Sequence, residues 1–551
     1  MSDRIESDGA MGKARALFAR FADAPAGGGL LRDPVLLVLL AAAFVIRLYV
    51  ALTTTHIWDE EREWIVVAHA ISFNPDALHL PIRSFNHGAL PAYLIKVGSF
   101  LFGEGVFGFR FTSVVAGTAS IAFVALIAKT WAGRTAALWA AALLAFNEYH
   151  VTISIFAVQL VFAFSFGALA AYLFVRALKD DRPRWLLGAA AAAALSCLCY
   201  EIMYLLIPTF AVVVLFTQRR AWFASPYLYL AAALGAAMLA PDWLWNLNAQ
   251  GATEMTYGHH LERFGGFGLN RHYLLFFCRD AALAIYTAMG RHLYDGFEEY
   301  GAMNVGLGVM LLGATLFWTW LYAAKRERRD DPVLAFLLAA FWLTFLVFSF
   351  ILPGNSTRLD AQGWLWIQFV MVPAAVLAGA LIVKLDGRWR LVVSALAALS
   401  IVYGASNIAV LRLGLPAYRI AMLPQTNINV QPITYRAAIL ACALCDQTPR
   451  VELVQIISED PDFAHTPPLA PGDIAGAEIG ADDREYTLRS PRHRYYKPEY
   501  RITERSGATH TIYGHIWAEA LQHPPPYWCA DCQPSDVGQG RDAGARARER
   551  H

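Results

Sequence analysis

Charge is what this sequence has least of. Only 16% of its 551 residues are Asp, Glu, Lys or Arg, 57% are hydrophobic, and the mean hydropathy is +0.40. A soluble globular domain carries about 25% charged residues, so the composition excludes an ordinary soluble protein. A net charge of +1 removes any global basic field, and with it nucleic acid as a partner. The first residues contain Arg4, Lys13, Arg15, Arg20 and Arg32 and no apolar core before Leu30. That pattern excludes a cleavable signal peptide and leaves the first span as an uncleaved anchor. No internal repeat is visible.

What is present is a series of long apolar stretches separated by short basic clusters. Spans are expected near 34–54, 110–130, 135–150, 155–177, 185–200, 202–217, 222–244, 302–323, 332–352, 363–384 and 391–411, because a membrane-crossing helix needs about 20 apolar residues. With a cytoplasmic N-terminus, the inner loops hold Lys129 and Arg134; Arg176, Lys179, Arg182 and Arg184; Arg219 and Arg220; Lys325, Arg326, Arg328 and Arg329; and Lys384, Arg388 and Arg390. Every such loop is basic, as cytoplasmic loops are. The expected organisation is a cytoplasmic segment 1–32, a membrane domain 33–411 with outer loops 55–109 and 245–301, an extracytoplasmic domain 412–537 and a disordered tail 538–551. The fold class is therefore an all-α polytopic protein of about eleven transmembrane helices with a small mixed α/β outer domain. In that domain Val451–Ile457 and Thr509–Tyr513 are strand-like, whereas Tyr435–Leu444 is expected to be helical.

Of 7 cysteines, Cys197, Cys199 and Cys278 lie in or beside apolar stretches and are expected to be inert. The other four form two CxxC pairs, Cys442/Cys445 and Cys529/Cys532. The outer location favours disulfides, and a structural zinc is the second reading.

Candidate chemistry begins at Trp58-Asp59-Glu60-Glu61, directly after the first span. A solvated helix start, with Asp59 as an N-cap, would account for that run alone. Glu148, Glu201 and Asp242, however, fall at the expected outer ends of the third, fifth and seventh spans. Carboxylates gathered at one membrane depth are costly and tend to be functional.

The order of these features resembles a known family. An apolar span containing Arg47 leads to Asp59-Glu60, then to the helix Trp64–Ala70. Asn86-His87-Gly88-Ala89-Leu90-Pro91 and Leu101-Phe102-Gly103 follow, with Arg110 opening the next span. This is similar to the first half of the GT-C glycosyltransferases that use polyprenyl-phosphate sugars, among them protein O-mannosyltransferases and lipid A aminoarabinose transferases. The resemblance is strongest over 34–180. It is weaker later, where Arg358 precedes Trp364–Pro373. It implies an inverting hexosyl- or pentosyltransfer to an acceptor hydroxyl at the outer face of a bacterial-type inner (plasma) membrane. Asp59 and Glu60 fall on the family's acidic motif and are the expected catalytic pair, with Asp59 as general base. Glu148, Glu201 and Asp242 are the expected acceptor or second acidic site. The family's acid at the start of the fourth span is missing from Ser154–Gln159, where Glu148 is the nearest substitute. The leaving lipid phosphate needs cations, for which the candidates are Arg358, Arg271, Arg263, His259 and His260. Expected partners are the polyprenyl-phosphate sugar donor, an envelope glycan, lipid or protein acceptor, and membrane lipids. These motifs assign no cofactor, and a divalent cation is the one candidate. A lipid-linked glycan flippase or transporter, or a non-catalytic membrane scaffold, are the alternatives.

The charge pattern sets a topology that labelling can check. In intact cells an impermeant thiol reagent should reach Leu80→Cys and Gly480→Cys but not Glu327→Cys. Labelling at 327 would reverse the orientation.

Overall fold

The computed structural model describes residues 32–53, 59–75, 78–84, 87–217, 219–248, 305–325, 328, 330–350, 359–413, 418–424, 433–441, 445–459, 474–488, 494–514 and 516–518. The chain is mostly helical up to Leu413 and consists of strands beyond it, among the described residues. The helices are α1 Pro34–Thr53, α2 Asp59–Ala70, α3 Leu90–Phe102, α4 Val106–Ala132, α5 Arg134–Ala145, α6 Glu148–Ile155, α7 Gln159–Asp180, α8 Trp185–Cys199, α9 Leu206–Phe216, α10 Pro226–Asn248, α11 Val305–Ala324, α12 Pro332–Phe350, α13 Leu359–Lys384 and α14 Gly387–Leu413.

An apolar helix lies at each expected span. Among the described residues, five helices are long and apolar enough to cross a membrane by length and composition: Pro34–Leu52, Val106–Ala132, Gln159–Asp180, Pro226–Trp245 and Gly387–Ser406. Others, such as α5, are shorter. The expected third span, 135–150, breaks at Phe146, and Asn147 accepts a bond from His150 N (2.8 Å) to cap a new helix. Glu148 therefore opens α6 instead of closing a span.

Alanine lets the helices approach closely. Ala136, Ala137, Ala140 and Ala141 on α5 are fully buried. A Cβ on Gly379 of α13 would come within 2.4 Å of Ala136 O, so only glycine admits that crossing. One end of the bundle is tied by polar side chains. Arg134 reaches Asp33, Trp131 Nε1 donates to Asp331 (2.8 Å), and Trp222 Nε1 donates to Asp181 (3.0 Å).

At the other end α2 lies against the bundle. Glu61 and Arg110 of α4 form a bidentate pair, with Nε–Oε1 and Nη2–Oε2 both 2.7 Å. Arg110 Nη1 also donates to Ala51 O (2.9 Å), and Ala157 N donates to Glu61 Oε1 (2.9 Å). The two side chains are 0% and 2% exposed. One polar knot thus joins α1, α2, α4 and the corner before α7.

In the C-terminal region the described residues form strands, and one expected helix is corrected. Tyr435–Leu444, expected to be helical, runs instead as β4 Ile433–Ala441, between β3 Tyr418–Pro424 and β7 Glu485–Leu488. Its alanines favour helix, but Tyr435 and Ala437 are buried while Arg436 is exposed. That is the period of two that packing selects. The short β6 Ile474–Ala475 completes this sheet, and β5 Arg450–Glu459, β8 Arg494–Thr503, β9 Thr509–Tyr513 and β10 Ile516–Ala518 form a second. Both sheets share a core of Tyr418, Tyr435, Tyr486, Tyr496 and Tyr500, so the domain is a sandwich.

A buried charge that loses its partner typically costs about 3–5 kcal/mol. Arg110→Ala should therefore lower the apparent unfolding temperature of the detergent-purified protein markedly. Glu61→Gln combined with Arg110→Gln should recover part of that loss. An Arg110→Ala variant as stable as wild type would remove the knot from the account.

Candidate functional site

Helix α2 presents Trp64, Ile65 and Ala68 to the bundle core, on the same side as Glu61, and Ile71 joins them just past its end. Asp59 and Glu60 occupy its first turn, where the helix dipole favours acids. Their side chains lie outside the described residues. Glu61, the acid given no role by sequence, is committed to Arg110.

Next to α2 sits a short hairpin, β1 Arg83–Ser84 paired with β2 His87–Gly88. A Cβ on Gly88 would lie 2.3 Å from Leu198 O, so this glycine lets the hairpin rest directly on the end of α8. Arg83 then reaches two sequence-distant acids. Its Nη1 donates to Asp242 Oδ1 at 2.6 Å and its Nη2 to Glu201 Oε1 at 2.9 Å. The second oxygen of Glu201 lies 2.5 Å from His87 Nδ1. Arg83 and Asp242 are almost fully buried, whereas Glu201 and His87 are near one-fifth exposed. The cluster therefore opens on the His87–Glu201 side. Aromatic rings frame it: Trp64 and Tyr200 lie 6.3 and 5.0 Å from the His87 ring, and Arg83 lies 5.7 Å over Trp245. Trp64 Nε1 donates to Gln159 Oε1 at 2.6 Å.

A second polar relay lies deeper. Arg47, fully buried on α1, donates to Ala43 O and Ala145 O (both 3.1 Å) and contacts His150 Nδ1 at 2.7 Å. His150 Nε2 lies 2.8 Å from Ser120 Oγ, which donates to Gly117 O. Nδ1 thus accepts and Nε2 donates, and α6 is held at its first turn, beside Glu148.

An apolar cleft of about 440 Å³ runs between α8, α9 and α10, lined by residues such as Ala189, Phe210, Val214 and Leu239. It reaches Trp243, next to Asp242, whose indole donates to Tyr204 Oη at 2.7 Å.

Of the residues singled out by sequence, Glu201 and Asp242 are brought together. Glu148 begins α6, and its side chain lies outside the described residues. Arg358, Arg271, Arg263, His259, His260, Cys442, Cys529 and Cys532 also lie outside them. Cys445 is disulfide-bonded, and Cys197 and Cys199 are free and buried. Among the described residues, no three His, Cys, Asp or Glu side chains converge as a metal-ligand set. Sequence reasoning gave no role to Arg83, His87, Glu61, Trp64 or Gln159. For Arg110 a signal was available, since an arginine entering an apolar span needs a buried acid.

Residues 86–245 match the family model described as dolichyl-phosphate-mannose-protein mannosyltransferase. A search of curated protein sequences finds no match. Among solved structures, the chain is similar to ArnT from Cupriavidus metallidurans bound to undecaprenyl phosphate, at 16% identity over 68% of this chain and 63% of that one (TM-score 0.49). It is also similar to the Archaeoglobus fulgidus oligosaccharyltransferase in complex with Zn and sulfate, at 17% identity over 68% and 52% of the two chains (TM-score 0.46). The A. fulgidus oligosaccharyltransferase AglB with an inhibitory peptide and a dolichol-phosphate gives 14% identity over 69% and 56% (TM-score 0.43). The chain thus spans less than two thirds of the length of these three proteins.

Proposed function

We propose that this chain is a membrane glycosyltransferase that moves a sugar from a polyprenyl-phosphate donor to a hydroxyl of an envelope glycan, lipid or protein on the extracytoplasmic side. The observation that carries this reading is the Arg83 clamp. It gathers Glu201, Asp242 and His87 beside the helix that bears the acidic motif, and those three residues fall within the segment matched by the mannosyltransferase model.

In this reading Asp59 takes the proton of the acceptor hydroxyl while its oxygen attacks the anomeric carbon. The bond from that carbon to the phosphate oxygen breaks, the configuration inverts and the polyprenyl phosphate leaves. Glu60 supports the base. Glu201 and Asp242 share the single charge of Arg83, so they fix the hairpin, and the leaving phosphate needs another cation. Arg358 is the first candidate, followed by Arg271, Arg263, His259 and His260. The apolar cleft that reaches Trp243 suits a prenyl chain, because its lining is hydrocarbon and Trp243 follows Asp242 of the charged cluster.

General-base loss typically costs about 10²–10⁴-fold in rate. Asp59→Asn should give a correctly inserted protein with turnover lowered on that scale, read as transfer of radiolabelled sugar from a polyprenyl-phosphate donor in membranes. Glu60→Gln should cost less. Wild-type turnover in both single variants and in the double variant would remove this mechanism.

A further inference from the structure

Helix α2 is packed on two opposite sides by two different domains. Glu61, Trp64, Ile65 and Ala68 repeat at spacings of three and four and face the membrane bundle, whose core also takes Val67 and, just past the helix, Ile71. Val66 stands about 140° around the helix from Glu61, at about 100° per residue. A valine on that face would meet water if the bundle alone packed against this 12-residue helix. It is instead 5% exposed, and it belongs to the core of the C-terminal sandwich with Tyr418, Ile420 and Met422. The exchange is reciprocal, for Leu423 of β3 joins the core of the bundle. An isolated helix of this length is marginal in water, so its position is set by whatever packs against it.

We propose that the C-terminal sandwich is a positioning element of the candidate active site, and that Val66 is the positioning residue through which it acts. The proposal rests on the transferase reading above. Asp59 precedes Val66 by seven residues, or two turns, so the two positions share one face of α2. Glu61, pinned by Arg110, fixes the opposite side. The base-bearing turn therefore lies between a bundle anchor and a sandwich anchor, and loosening either one lets it shift. A misplacement of about 1 Å can cost about 10²-fold in rate, so a partial loosening should be visible in turnover before it is visible in insertion.

The test uses the full-length protein in detergent, with Val66→Ala on the helix side, Leu423→Ala on the strand side and Val66→Ile as the conservative variant. Hydrogen exchange of the α2 amides should rise about tenfold in the two alanine variants while α7 stays protected. Turnover with a polyprenyl-phosphate sugar donor should fall about tenfold at unchanged KM for that donor, and Val66→Ile should restore both. Unchanged exchange in α2, or a turnover loss matched by an equal rise in donor KM, would overturn the positioning role. If wild-type protein transfers no sugar, the transferase reading fails, while the exchange data still decide whether the sandwich holds the helix.

Discussion

The buried pair between Glu61 and Arg110 is the interaction on which the rest of the candidate site depends. Neither charge is solvated, so each requires the other, and the two parallel hydrogen bonds leave little freedom in their geometry. Arg110 also binds the end of α1 through Ala51 O, and Glu61 also binds the corner before α7 through Ala157 N. The depth and rotation of α2 follow from these four contacts. The preceding residues, Asp59 and Glu60, inherit a fixed height relative to the bundle. The corner Phe156–Val158, which carries no acid, offers the backbone N–H of Ala157 to Glu61.

The Arg83 clamp performs the comparable task for the hairpin. Without it, Glu201 and Asp242 would be two carboxylates close together at low dielectric, and their repulsion would separate the turn after α8 from α10. Arg83 turns that repulsion into a three-way attachment, and His87 takes the remaining oxygen of Glu201. The resulting cluster opens on the His87–Glu201 side, and the hydrocarbon-lined cleft reaches Trp243, next in sequence to Asp242.

The helices were legible in the sequence because twenty-residue apolar runs have few alternatives, and the gathering of Glu201 and Asp242 followed from their placement at span ends. The break at Asn147 was not legible. Its signal is one capping residue inside a continuous apolar stretch. The β4 strand was misread because Ala437, Ala438 and Ala441 have helical propensity, and only pairing with β3 and β7 reveals the alternation. Arg83 and His87 were passed over for a related reason. They sit in a loop with no periodicity, and their partners lie more than a hundred residues away. Glu61 has no assigned role in the sequence because three consecutive acids look equivalent until one of them meets Arg110.

The central claim is bond transfer from a lipid-borne sugar, and one measurement addresses it directly. Purified protein in lipid vesicles would be given polyprenyl phosphates carrying radiolabelled sugars, together with a cell-envelope extract as the source of acceptor. The account predicts that label leaves the lipid fraction and appears covalently in an acceptor, with one molecule of polyprenyl phosphate released for each sugar moved. Label that crosses the bilayer while still attached to its lipid, with no polyprenyl phosphate released, would contradict it and identify a transporter instead.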